Sequence, residues 1–153
     1  MHLCPELRGL AEEHARWRRK LAERSGDGPR KRATWILRLW EDEILPHCRV
    51  EEDVLLPELS RRLSEADALL VFALGDHLAL RRLAKDLKDA SPSLEAKALA
   101  EFEFRLEEHL SYEDRTLFPG LQEALGCELL ARLEPGLSPR GRLSPRNRPR
   151  RTS

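Results

Sequence analysis

Two stretches of the chain carry one pattern of groups able to do chemistry. "HCRVEEDVLLPEL" begins at His47, and "HLSYEDRTLFPGL" begins at His109. Each reads His-x-x-x-Glu, an acidic residue, two spacers, Leu, an apolar residue, Pro, a spacer and Leu. Residues four apart share one face of a helix. His47 with Glu51, and His109 with Glu113, therefore each aim an imidazole and a carboxylate at one point. Imidazole and carboxylate donors together are the material of a metal site.

The elements that must position these groups follow from hydrophobic spacing. Four long segments repeat apolar residues every three or four positions. The first runs from about Leu7 to Arg24 and is broken by "SGDGP". The second runs from about Arg30 to Leu63, with kinks expected at Pro46 and Pro57, or an end at Pro57. The third starts near Ser64, with Asp67 completing an imperfect capping box, and reaches about Asp89. The fourth is capped by Ser91, has Pro92 at its first position and runs to about Phe118, where Pro119 stops or kinks it. Residues 120–133 read as a shorter helix broken near Gly126.

The spacing predicts an all-α fold, an antiparallel up-and-down four-helix bundle with a short extra C-terminal helix. Each main helix puts one histidine on its inner stripe: His14, His47, His77 and His109. His2 lies outside them. Buried carboxylates without partners are costly, and metal ions are the natural compensation. Six donors, four nitrogens and the carboxylates of Glu51 and Glu113, exceed the four of a structural zinc. A set without thiolate suits non-haem iron, with manganese or a mixed-metal pair as the alternative. Glu52, Asp53 and Asp114 admit a simpler reading as solvent-facing acids. Cys48 points about 100° away from the stripe and is read as a small buried hydrophobe. Tyr112 is either a hydrogen-bond donor behind Glu113 or a packing residue. Trp17, Trp35 and Trp40 are expected in the core.

Composition bounds the class. The chain has 153 residues, 41% hydrophobic and 35% charged, with a mean hydropathy of −0.56. No run of about 18 apolar residues suggests a membrane span. The N-terminal stretch lacks the basic flank and apolar core of a signal peptide. Three cysteines, widely spaced, imply no disulfide framework, and a reducing, cytoplasmic location is expected. Lys plus Arg and Asp plus Glu are 27 each. The balance is uneven, because residues 135–153 hold six arginines and no acid. The expected division is a bundle over 1–134 and a disordered Arg-rich tail over 135–153.

The quoted stretches resemble the hemerythrin-like family, the HHE cation-binding domains. The resemblance rests on "EEHARW" around His14, "ILPHCRVEEDVLLPEL" around His47, "GDHLALRRLAKDL" around His77 and "EEHLSYEDRTLFPGL" around His109. It covers about residues 7–134. It implies two non-haem Fe ions joined by an oxo or hydroxo bridge. His14 and His47 would bind one and His77 and His109 the other, with Glu51 and Glu113 bridging. It also implies O2 or another small diatomic as partner.

The sequence departs from the oxygen carriers of that family in two ways. They carry a further histidine at the position of Ala73, and they place the last carboxylate at the position of Asp114. The match between the two stretches favours Glu113. Reversible carriage is thereby put in doubt, leaving O2 or diatomic sensing, iron handling and peroxide chemistry. The ligands alone assign no turnover. A partner protein that reads the state of the centre is not identified by the sequence. The competing reading is a metal-free helical interaction module whose basic tail contacts nucleic acid.

Overall fold

The structure, a computed structural model, describes residues 2–64 and 67–137. Four long helices and one short one account for nearly all of them. They are α1 (Pro5–Glu23), α2 (residues 29–60), α3 (Ala68–Asp89), α4 (residues 95–125) and α5 (Cys127–Leu137). The four-helix bundle with an extra C-terminal helix is the predicted fold.

Prolines inside α2 and α4 do not stop them. Immediately before each proline the helix widens by one π turn: Trp40–Ile44 before Pro46, Glu51–Leu55 before Pro57, and Glu113–Leu117 before Pro119. Each turn closes on a five-residue bond, from the N–H of Leu45 to the Trp40 carbonyl, Leu56 to Glu51, and Phe118 to Glu113. Proline has no N–H, and its ring collides with the carbonyl four residues back. A wider turn moves that carbonyl away and lets the helix continue. Two of the three π turns begin at Glu51 and Glu113.

Two helix starts differ from expectation. Asp67, not Ser64, caps α3, its Oδ1 accepting from the Leu69 N–H at 2.9 Å. Residues 91–94 form a turn closed by the Leu94 N–H on the Ser91 carbonyl, and α4 starts only at Glu95. Pro92 is thus a turn residue. Gly126, at φ +77°, ends α4 in the left-handed region that glycine tolerates. Helix α5 then runs to Leu137, which is buried, three residues past the expected boundary at 134. The rest of the Arg-rich tail lies outside the described residues.

The bundle core is two apolar clusters. One contains Leu10, Leu55, Ala73 and Leu117; the other contains Trp17, Ile44, Leu80 and Leu106. The order in which each helix visits them gives its direction. Helices α1 and α3 pass from the first cluster to the second, while α2 and α4 pass from the second to the first. That alternation is the up-down topology. Trp17 and Trp40 are buried as expected, but Trp35 is half-buried at the surface under the Arg24 guanidinium, 4.6 Å from its ring.

The cysteine expectation is overturned. Cys4, just ahead of α1, is disulfide-bonded to Cys127 at the start of α5, with Cα atoms 5.7 Å apart. The odd count of three leaves Cys48 free and buried. Sequence separation hid the pair, because only the folded bundle brings the two ends together. Among the described residues, no helix is long and apolar enough to cross a membrane.

Candidate metal centre

A polar layer separates the two apolar clusters. His14, His47, His77, His109, Glu51 and Glu113 are each buried, at 0–1% exposure, and among the described residues the other buried polar one is Glu13. Helix phase brings them there. His14 stands between Leu10 and Trp17 on α1, and His77 between Ala73 and Leu80 on α3, each at helical spacing from its apolar neighbours. The structure thus brings all six sequence-predicted residues into one layer.

The carboxylates sit between two pairs of histidines. Glu51 Oε1 is 2.5 Å from His47 Nε2, while its Oε2 is 3.3 Å from His77 Nε2. Glu113 Oε2 is 3.0 Å from His14 Nε2 and 3.4 Å from His47 Nε2. Its Oε1 is 2.6 Å from His109 Nε2 and 3.5 Å from His77 Nε2. Each carboxylate therefore turns one oxygen toward His14 and His47 and the other toward His77 and His109. The groups His14–His47–Glu51–Glu113 and Glu51–His77–His109–Glu113 each gather their donor atoms within 4.8 Å of one another, and they share both carboxylates.

His47 Nε2 and Glu113 Oε2 have hydrogen-bond geometry, but most of this proximity is not hydrogen bonding. Both oxygens of Glu51, Oε1 of Glu113, and Nε2 of His77 and His109 are buried without a hydrogen-bond partner of acceptable geometry. Buried polar atoms are nearly always satisfied. Five orphans converging on one place fit two cations shared between the carboxylates, and the donor set suits them.

The outward nitrogens are held by a ring of acids. His47 Nδ1 meets Glu13 at 2.6 Å, His77 Nδ1 meets Glu52 at 3.0 Å, His109 Nδ1 meets Asp76 at 3.2 Å, and His14 Nδ1 meets Asp114 at 2.8 Å. Each helix thus supplies the acid for the histidine of the next: α1 to α2, α2 to α3, α3 to α4, and α4 back to α1. A carboxylate on Nδ1 fixes the ring orientation and tautomer, so that Nε2 faces inward as a donor. Three of these acids are in turn gripped by arginines. Arg18 donates to Asp114 at 2.8 Å, Arg105 to Asp76 at 2.7 Å, and Arg81 to both oxygens of Glu52 at 2.7 and 2.8 Å.

Glu52 and Asp114 are therefore not simply solvent-facing, as the plainer reading of the sequence had them. Their signal was in plain view. Glu13, Glu52, Asp76 and Asp114 each adjoin one of the six inner residues in sequence. One step along a helix turns about 100°, which carries an acid from the centre to the neighbouring helix. Tyr112 does the packing job: its hydroxyl donates to the Leu69 carbonyl at 3.4 Å, tying α4 to α3.

Electrostatics follow the geometry. Burial opposes a charge on His47, but Glu51, Glu113 and Glu13 outweigh it and hold the imidazole well above its ordinary range. Burial likewise opposes His109, which Glu113 and Asp76 raise strongly. Burial alone would push Glu113 up, and the surrounding His109, His14 and His47 bring it well below the carboxylate range. Burial also acts to raise Asp114, and His14 and Arg18 lower it. The layer is built for positive charge among fixed negative groups, the setting a divalent cation needs.

Fold and layer together define a cation-binding four-helix bundle. Residues 5–126 match the model of the Hemerythrin HHE cation binding domain, and the chain belongs to the hemerythrin family. No curated protein and no solved structure matches it.

Proposed function

We propose that this chain holds two non-haem iron ions and uses them to bind or sense O2 or a related diatomic, or to handle iron. His14 and His47 would hold one ion, His77 and His109 the other, with Glu51 and Glu113 shared between them. The observation that carries this reading is the way both buried carboxylates divide their oxygens between the two histidine pairs. A single four-coordinate ion has no use for that division. Manganese or a mixed pair would use the same donors.

The chain's own residues orient and shield. The four acids on Nδ1 present each imidazole's Nε2 to the centre, and the two apolar clusters exclude water above and below it. The chemistry gained on loading is a two-electron reservoir beside a position for a small ligand. Ala73, one turn before His77 on the same face, offers a methyl group where a further donor would stand. The position it leaves is where a diatomic would bind. A cytoplasmic site of action belongs to this reading as well. The Cys4–Cys127 bond is the observation against it, since such bonds persist in oxidising compartments.

No feature of the described residues favours a metal-free interaction module, and the basic tail that reading needs lies beyond them. The test is iron content and optical spectra of reduced and air-exposed protein, for the full chain and for a chain ending at Leu137. Iron in both, with a spectrum that changes on exposure to air, supports the proposal. Failure of both to hold iron after anaerobic loading would sink it.

A further inference from the structure

Cys48 stands apart from the other two cysteines. Those are bonded to each other, while Cys48 is free and fully buried. It follows His47 on α2, about 100° further round the helix. That step points it toward α3 and α4. There its Sγ, a ring nitrogen of His77 and a ring nitrogen of His109 lie within 4.8 Å of one another. Nδ1 of His77 is engaged by Glu52, and Nδ1 of His109 by Asp76. The nitrogen left on each ring is Nε2, and both Nε2 atoms are buried without a hydrogen-bond partner.

A cysteine that only fills space needs no imidazole nitrogens converging on it. We propose that Cys48 is a metal ligand, its thiolate binding the ion held by His77 and His109. This rests on the two-metal reading above. On binding, the S–H bond breaks, the proton leaves to solvent, and a sulfur–metal bond forms with no change of oxidation state.

The two halves of the centre then differ. One has two imidazoles and the shared carboxylates; the other adds a soft, anionic sulfur. Cys48 packs with the cluster of Trp17 and Leu80, whereas Ala73 packs with that of Leu10 and Leu117. The sulfur therefore approaches from the other side of the polar layer and leaves the position beside Ala73 open. The added negative charge favours the oxidised state of the ion that carries it.

X-ray absorption at the iron edge tests this on the full chain, wild type and Cys48→Ser, loaded anaerobically with ferrous iron and assayed for iron per chain. Wild type is expected to show a sulfur shell outside the nitrogen and oxygen shell, about one sulfur for every two irons. Cys48→Ser should lack that shell and surrender its second iron to a chelator at least about tenfold faster. Two irons with no sulfur shell in wild type would overturn the thiolate ligand and leave the two-metal reading standing. A sulfur shell that persists in Cys48→Ser would also overturn it. Absence of iron would overturn both. Should Cys48→Ser fail to fold, as circular dichroism would report, the wild-type spectrum decides alone.

Discussion

Asp114 and His14 lie 100 residues apart in sequence and meet side chain to side chain, Oδ1 to Nδ1, at 2.8 Å. The contact binds the last helix of the four to the first and places Asp114 one step outside the six inner residues. Asp114→Ala is expected to bind two irons at saturation, with affinity lowered about 10–100-fold. Chelator competition measures this. An Asp114→Ala protein that lost iron outright, while Glu113→Gln kept it, would make Asp114 the bridging group.

Ala73 is fully buried among Leu70, Leu117 and their neighbours. A histidine there has to displace packed side chains, at a stability cost of about 1–3 kcal/mol. Ala73→His that still folds should donate to the ion of His77 and His109 and weaken azide binding to the oxidised centre, with iron still near two per chain. Azide titration of loaded wild type and variant gives the comparison. Equal affinities would put the open position elsewhere.

The Cys4–Cys127 bond closes a sequence separation of 123 residues. By chain-entropy reasoning a loop of that size contributes about 4–5 kcal/mol. Replacing both cysteines by serine should shift urea unfolding accordingly. In denatured, unreduced wild type, Cys48 should be the one thiol that reacts with a chromogenic disulfide reagent. Reaction of three thiols would show that the bond does not form.

Glu43 fastens α2 to α1, accepting from Arg16 at 2.6 Å, Lys20 at 2.9 Å and Trp17 at 3.4 Å. Burial acts to raise its pKa, and Lys20 and Arg16 bring it below the ordinary value. A depressed folded-state pKa gives stability that is present above the unfolded value and lost as pH falls through the folded one. Glu43→Gln should therefore cost up to about 1 kcal/mol at neutral pH, and the difference from wild type should shrink near pH 3, about a unit below a free carboxyl. Urea unfolding at the two pH values checks the sign. A gap that is constant, or wider in acid, would be the wrong outcome.

The six inner residues were legible because helical period alone puts them on one stripe, and the two His-x-x-x-Glu stretches repeat it. Residues one step off that stripe were not. Glu52, Asp114 and Cys48 looked like surface or filler, since their partners belong to other helices and only the packed bundle shows which helix stands 100° round. The prolines were legible in part: kinks at Pro46 and Pro57 inside one long helix were expected, but not the π turns that form there. Pro46, Pro57 and Pro119 are breakers in an α-helix, and the π turns ahead of them depend on a continuous helix being held by the core on both sides. Cys4 and Cys127 carry no local signal at all.

Glu51 and Glu113 are proposed each to serve two metal ions. Iron per chain, measured after anaerobic loading and desalting of wild type, His14→Ala and Glu113→Gln, tests this most directly. Wild type should hold about two irons. The loss should be larger in Glu113→Gln than in His14→Ala, because the carboxylate lies against both histidine pairs and His14 belongs to one. A single iron per chain, retained in full by a folded Glu113→Gln protein, would contradict it.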